Sequence, residues 1–117
     1  MILNKIKSYA KINLALHIVG KNKFLHKIES IIAFIDLFDL IFIKKIKSKK
    51  HTVIFNGRFS KNISKDNTVT KLLSILDKKK LLKDKKFHIT INKKIPNKSG
   101  LGGGSMNAAR ILKYFKQ

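Results

Sequence analysis

Four glycines within five residues form the part of this sequence best suited to chemistry. The stretch consists of Gly100, Leu101, Gly102, Gly103, Gly104 and Ser105. Because glycine has no side chain, the backbone N–H groups of such a turn can approach an anion closely. Ser105 can cap a helix, whose free N–H groups and positive dipole end would complete a phosphate cradle. The spacing therefore predicts a phosphate-binding turn.

Two well-known phosphate loops do not fit this spacing. The stretch lacks the lysine of a GxxxxGK[ST] loop, and it contains no GxGxxG followed by an acidic residue about twenty positions later. The alternative for the glycines is a flexible link or a close-packed turn that binds no ligand.

The segments on either side of the glycines have the periodicity of a strand and of a helix. From Lys85 to Ile95, apolar residues alternate with polar ones, which predicts a half-buried strand. Its buried face would carry Phe87, Ile89, Ile91 and Ile95. A helix capped by Ser105 would bury Ala108, Ile111, Leu112 and Phe115, which are spaced along one helical face. The glycines would then lie where a helix begins.

Upstream of this unit the sequence is mostly β-type. Strands are predicted at 3–9, at 11–19, within 26–46 as two strands separated near Asp36 to Asp39, and at 51–55. Asn56 and Gly57 form a hairpin-type turn signal. Asp66 or Asn67 would cap a helix that buries Val69, Leu72, Leu73 and Ile75 or Leu76. The order predicts an α+β fold, a mostly antiparallel sheet with helices on one face.

Length and composition limit the class of protein. A chain of 117 residues suits one domain. The absence of cysteine excludes disulfides and thiolate chemistry. No apolar run reaches the roughly 18 residues of a membrane span, and the N-terminus resembles no signal peptide. A cytoplasmic protein is expected. The last helix has no stop signal before Gln117, which suggests a chain cut in mid-domain.

The charge of the chain leaves two origins open. With 27 basic and 6 acidic residues, the net charge is +21. Such a charge favours nucleic acids, anionic membranes or anionic small molecules. However, only Arg58 and Arg110 are arginines. Lys, Ile and Asn share A/T-rich codons, so a biased genome would produce the same composition without any polyanionic ligand.

Three stretches together resemble a known family. They are SYAKINLALHIVG at 8–20, LHKIESIIAFIDLFDLI at 25–41 and PNKSGLGGGSMNAA at 96–109. In order and spacing they resemble the N-terminal half of the 4-diphosphocytidyl-2-C-methylerythritol kinases. These belong to the galactokinase, homoserine kinase, mevalonate kinase and phosphomevalonate kinase (GHMP) superfamily. The resemblance implies that residues 1–117 form an incomplete N-terminal ATP-binding domain, without the C-terminal domain.

The resemblance also implies a reaction and its residues. The family uses Mg-ATP to phosphorylate a hydroxyl of the cytidine-diphosphate-linked methylerythritol in the non-mevalonate isoprenoid pathway. Lys11 matches the active-site lysine, which can neutralise charge on the transferred phosphoryl group. Asn13 matches a residue near the substrate, and His26 matches the histidine that hydrogen-bonds cytosine. The implied ATP-binding residues are Asn67, Pro96, Gly100, Leu101, Gly102, Gly103, Gly104, Ser105 and Asn107. Ser105 is also the candidate Mg²⁺ contact.

The chain departs from the family pattern at several positions. Leu25 replaces a tyrosine that can stack on cytosine, and Met106 replaces a small serine in the glycine loop. Lys98 and Ser99 replace glycines. The catalytic aspartate of the family lies beyond the glycine-loop helix, where this chain has already ended. We therefore expect little or no kinase activity from the isolated chain, which would need the missing C-terminal half.

Two other interpretations remain from the sequence alone. A basic, ribosomal-type α+β domain that binds nucleic acid would account for the lysines, and it predicts RNA affinity that falls steeply with salt. A decayed or truncated gene product would have no function of its own.

Overall fold

The computed structural model describes residues 3–21, 26–96 and 102–117, and within residues 12–34 it describes the backbone alone. These residues form a four-stranded sheet and two helices. The strands are β1 (Asn4–Lys21), β2 (His26–Ile46), β3 (Thr52–Asn56) and β4 (Lys86–Asn92). The helices are α1 (Thr68–Lys78) and α2 (Gly103–Phe115). The expected α+β class is confirmed.

Strands β1 and β2 form one long antiparallel ribbon, so the prediction of four shorter strands was wrong. The predicted breaks nevertheless coincide with an irregularity in the pairing. Tyr9 pairs with Phe38, whereas Lys11 pairs with Phe34, and the intervening Ala10 is fully buried. A bulge of this kind bends a strand and redirects its side chains without ending it. Strands β1 and β2 therefore remain paired through the predicted breaks.

Strand β4 lies inside the sheet, between β2 and β3. It pairs antiparallel with β2 and parallel with β3. The predicted hairpin after Asn56 was wrong, because a parallel pair needs a crossover and α1 supplies it. Gly57 still turns the chain, with φ of +95°. A Cβ atom there would lie 2.8 Å from the Lys93 carbonyl oxygen, so glycine is required.

Both helices contribute to one hydrophobic core on one face of the sheet. The alternating strand β4 buries Phe87, Ile89 and Ile91, as predicted. Helix α1 buries Val69, Leu73 and Leu76, whereas Ile75 is half exposed, which resolves the alternative between Ile75 and Leu76. Helix α2 buries Ile111 in the same cluster. Burial of these faces fixes both helices on the sheet.

Contacts at its C-terminal end fix helix α2 further. The Asn4 side chain donates a hydrogen bond to the Tyr114 hydroxyl at 2.7 Å. The ring of Phe115 lies against Phe87, with centroids 4.8 Å apart. These contacts hold one end of α2, and the opposite end carries the glycines. Among the described residues, no helix combines the length and apolarity needed to cross a membrane.

Candidate nucleotide site

A cavity of about 510 Å³ lies where α1 and α2 begin, and we call it the glycine cavity. Every predicted ATP-binding residue that the structure describes lines it: Asn67, Pro96, Gly102, Gly103, Gly104, Ser105 and Asn107. Gly100 and Leu101 lie outside the described residues, as do Leu25, Lys98 and Ser99. Residues separated by about 30 positions in the sequence are thus brought into one concave surface.

Helix α2 begins three residues earlier than the predicted cap at Ser105 implies. Gly102 is its N-cap, in the left-handed conformation with φ of +73°, and the helix starts at Gly103. Ser105 is therefore not the cap, because glycine can take this backbone conformation without strain and lets the chain turn sooner. No side chain among the described residues caps this end. The first N–H groups of the helix are consequently open to a ligand in the cavity.

The side chain of Lys11 covers Gly102. A Cβ atom built on Gly102 would lie 2.8 Å from Lys11 Cε and 3.2 Å from its Cγ. The lysine therefore occupies the space that any side chain at this position would need. Strand β1 redirects Lys11 at the bulge beside Ala10. The predicted active-site lysine and the predicted glycine turn are in contact in the structure.

Asn67 is the N-cap of α1 and forms a complete capping box. Its Oδ1 accepts hydrogen bonds from the Val69 and Thr70 amides at 3.0 and 3.1 Å. The Thr70 hydroxyl accepts from the Asn67 amide at 2.9 Å. The cap predicted at Asp66 or Asn67 is thus formed by Asn67. Its side chain satisfies the helix and also lines the glycine cavity.

A hydrogen bond joins the two helix beginnings. The Thr68 hydroxyl donates to the Gly104 carbonyl oxygen at 3.0 Å. Both helices therefore present their N-terminal ends to the same cavity, where their dipoles reinforce each other toward an anion. The glycine cavity also has Lys71 on its wall. Sequence reasoning missed Thr68 and Lys71, since neither belongs to a recognisable phosphate motif.

Asn107 has a buried polar atom without a partner. Its side chain is 1% exposed, and within the described residues its Oδ1 finds no hydrogen-bond donor. A buried polar group without a partner costs free energy. Asn107 lines the glycine cavity, so a donor group of a ligand could satisfy this oxygen.

An ion pair lies beneath the glycines. Lys93 Nζ is 2.5 Å from Asp39 Oδ2, with side-chain exposures of 2% and 0%. Sequence reasoning missed this pair because the partners are 54 positions apart. One signal was present: Asp39 interrupts an apolar strand, and a charge in such a place needs a buried partner.

The predicted substrate residues are known by backbone position only. Asn13 lies two residues beyond Lys11 in a regularly paired stretch of β1. His26 begins β2 and pairs with Lys21, at the far end of the ribbon from Lys11. At roughly 3.3 Å per residue, the ribbon separates His26 from Lys11 by on the order of 25 Å. The structure therefore groups Lys11 with the glycines and places His26 apart from them.

A second cavity, of about 920 Å³, adjoins the first and shares Asn67 with it. It contains a network centred on His51. The Phe87 amide donates to His51 Nδ1 at 3.0 Å, so the ring proton is on Nε2, 3.0 Å from Asp77 Oδ1. Burial tends to raise the pKa of Asp77, but the hydrogen bonds of His51 and Lys86 and the charge of Lys86 outweigh it and lower this pKa below 3.8. The network joins His51, which lies just before β3, to α1 and β4. Its hydrogen bonds hold these elements together, which is a structural role.

Comparisons with known proteins agree with this geometry. Residues 67–117 match the family model described as the GHMP kinases N terminal domain. A 4-diphosphocytidyl-2-C-methyl-D-erythritol kinase of Pelagibacter ubique is 63% identical over 95% of this chain and 40% of its own length. A kinase of the same name from Clostridium botulinum is 42% identical over 94% of this chain and 39% of its own length.

A solved structure shows the same fold. The crystal structure of a 4-(cytidine 5'-diphospho)-2C-methyl-D-erythritol kinase matches with a TM-score of 0.73 and 25% identity, over 97% of this chain and 40% of that one. The chain thus spans about 40% of the length of the relatives it matches. Over nearly its whole length this chain is similar to the N-terminal portion of 4-diphosphocytidyl-2-C-methyl-D-erythritol kinases, and its residues 67–117 match the N-terminal domain of the GHMP kinases.

Proposed function

We propose that this chain supplies the nucleotide-binding part of a kinase that phosphorylates a hydroxyl of 4-diphosphocytidyl-2-C-methyl-D-erythritol, the compound in the names of its relatives. The observation that carries the proposal is the glycine cavity. Two helix N-termini and the open amides after Gly102 meet there, and the side chain of Lys11 lies against Gly102. This is the arrangement that a polyphosphate chain requires.

The residues of the cavity have distinct roles in this proposal. The amides of Gly103 and Gly104 hold ATP phosphates, and Lys11 neutralises charge on the transferred phosphoryl group. Mg²⁺ bound with ATP supplies further charge neutralisation, and the exposed Ser105 hydroxyl is the residue that would hold it. Asn107 Oδ1, buried without a donor, would accept a hydrogen bond from the nucleotide.

Substrate recognition forms a separate part of the proposal. Asn13 contacts the methylerythritol portion beside Lys11, and His26 binds cytosine. A neutral imidazole suits cytosine because it offers one donor and one acceptor. His26 begins β2 far along the ribbon, so the cytosine end of the substrate would bind apart from the hydroxyl beside Lys11. We place the protein in the cytoplasm, where ATP is available.

Nucleotide titration of the chain tests the proposal with Gly104→Asp and Gly104→Ala. A Cβ atom at Gly104 meets nothing closer than Thr68 Oγ1 at 3.6 Å, so both variants should fold. Aspartate in the first turn stabilises a helix by about 0.3–1 kcal/mol but repels phosphates. We expect saturable ADP binding by the parent and Gly104→Ala, and a loss of at least about tenfold for Gly104→Asp. Absence of saturable ADP binding by the parent would overturn the proposal.

The nucleic-acid alternative is tested with the same variants. RNA binding through scattered lysines would weaken steeply with salt and would change little on Gly104→Asp, a single charge among many. Nucleotide binding at the glycine cavity should instead respond strongly to that substitution.

With ATP and the cytidine-linked substrate, we expect the 117-residue chain to show little or no turnover.

A further inference from the structure

We propose that Asp39 and Lys93 are positioning residues of the nucleotide site. Together they set the depth at which the first turn of α2 lies in the glycine cavity. The nature of the ligand rests on the proposed function, whereas the positioning itself rests on contacts within the chain.

A single carboxylate fixes three consecutive residues after β4. Asp39 Oδ2 accepts from Lys93 Nζ at 2.5 Å. Its Oδ1 accepts from the backbone amides of Lys94 and Ile95, at 2.7 and 2.9 Å. Asp39 is fully buried in strand β2, which the sheet holds on both sides. The chain is thus anchored to the middle of the sheet just before it enters the glycine stretch.

The anchored segment packs directly beneath Gly103. A Cβ atom on Gly103 would lie 3.1 Å from Ile95 Cγ2 and 3.3 Å from Lys93 Nζ. The first turn of α2 therefore rests on two of the residues that Asp39 holds. A displacement of either one would change the height of the open amides in the cavity.

Lys93 acts by supporting the first turn of α2 and not as a free cation. Its side chain is 2% exposed, and the ammonium group is neutralised by Asp39 at 2.5 Å. Among the residues that the structure describes, Lys71 lines the glycine cavity and Lys11 contacts Gly102 beside it. Because buried ion pairs contribute little net stability compared with apolar residues of the same volume, stability alone does not explain this pair. The contacts of Lys93 and Ile95 with Gly103 indicate instead that the ion pair constrains the position of the glycine turn.

The decisive variant is Asp39→Asn/Lys93→Met. It removes both charges together, so neither remains unpaired in the interior, and such neutral replacements usually fold. The amide oxygen of asparagine would hold the Lys94 and Ile95 amides more weakly than a carboxylate does. The matched control is Asp77→Asn/Lys86→Met, which removes an ion pair of 3.3 Å that does not line the glycine cavity.

The measurements are ADP affinity, thermal midpoint and amide hydrogen exchange. We expect ADP affinity to fall about tenfold in the Asp39/Lys93 variant, because the neutral side chains hold the segment beneath Gly103 with weaker hydrogen bonds. The Lys94 and Ile95 amides should exchange faster in that variant. The Asp77/Lys86 control should keep the parent's ADP affinity. An Asp39/Lys93 variant that binds ADP as tightly as the parent would overturn the positioning role.

A measurement on the parent chain covers the case of a variant that does not fold. ADP should raise the exchange protection of Lys94 and Ile95 more than that of His88, which lies near the start of β4 and does not line the glycine cavity. Equal changes, or none, would overturn the positioning role. A parent that binds no ADP would instead overturn the proposed function, so the two failures are distinguishable.

Discussion

The side chain of Lys11 lies against Gly102, the left-handed residue that begins helix α2. Its Cε would be 2.8 Å from a Cβ atom at that position. The contact joins a strand bulge to a helix cap and places a lysine against the residue that precedes the open backbone amides. Two features therefore favour glycine at position 102. Its backbone is left-handed, and Lys11 occupies the space that a side chain would need.

Replacement of Gly102 by alanine separates these two requirements. A left-handed conformation costs a non-glycine residue about 1–2 kcal/mol, so Gly102→Ala should lower the free energy of unfolding by that amount. The collision with Lys11 should add little to this loss, since the end of a flexible side chain can move. Denaturant titration should give the same loss in a Lys11→Ala background. A loss that disappears without Lys11 would show that the collision, and not the backbone, is responsible.

Asn67 has a structural role and a proposed ligand role, which two substitutions distinguish. Asn67→Ala removes the cap of α1 and should lower the free energy of unfolding by about 1 kcal/mol. Asn67→Asp keeps an acceptor for the Val69 and Thr70 amides but loses the exposed hydrogen bond that Asn67 Nδ2 donates to the Ser64 carbonyl oxygen, so it should cost less stability than Asn67→Ala.

The same aspartate puts a negative charge on the wall of the glycine cavity. Asn67→Asp should therefore weaken ADP binding severalfold while lowering the thermal midpoint less than Asn67→Ala does. Calorimetric titration and thermal unfolding measure the two effects. Unchanged ADP affinity would mean that Asn67 acts as a helix cap alone.

Local patterns predicted the elements that depend on local physics. The alternation of Phe87, Ile89 and Ile91 predicted β4, because the side-chain period of a strand is visible in the sequence. A helix cap was predicted at Asp66 or Asn67 by residue type and position, and Asn67 forms it. The seven cavity residues were predicted as ATP-binding by resemblance to the family, and in the structure they line one cavity.

Features that depend on distant contacts were not predictable in this way. The parallel pairing of β3 with β4 is set by the crossover through α1, whereas the Asn56–Gly57 signal is local and predicted a hairpin. The start of α2 was misplaced because Gly102, unlike Ser105, offers no side chain to recognise as a cap. The pairing of Asp39 with Lys93 arises only when β2 and β4 become neighbours.

Glycine substitutions at Gly57 and Gly104 should have opposite effects on stability. At Gly57 a Cβ atom would lie within 2.9 Å of two Lys93 backbone atoms, and the backbone has positive φ. Gly57→Ala should therefore lower the free energy of unfolding by more than about 2 kcal/mol. Gly104→Ala lies in a helix with open space around it and should raise it by up to about 1 kcal/mol. Chemical denaturation measures the free energy of unfolding of both variants. A Gly104→Ala variant that is less stable than the parent would contradict the prediction.

The network of Asp77 with His51 and Lys86 predicts a loss of stability in acid. Burial works to raise the pKa of Asp77, but its partners lower it below the ordinary value of 3.8. A carboxyl group whose pKa is lower in the folded than in the unfolded chain stabilises the fold above its unfolded pKa. This contribution is lost as the pH falls below about 4 through the folded pKa.

Asp77→Asn removes the titrating group and keeps the size of the side chain. The parent should exceed Asp77→Asn in stability near pH 7, and the difference should shrink as the pH falls from about 4 to 2. Urea titrations at several pH values measure both proteins under the same conditions. Asp84, an exposed carboxyl outside the network, provides the control, and Asp84→Asn should show no such convergence with the parent. A parent and Asp77→Asn that differ equally at pH 7 and pH 2 would exclude Asp77 ionisation as the source of the stabilisation.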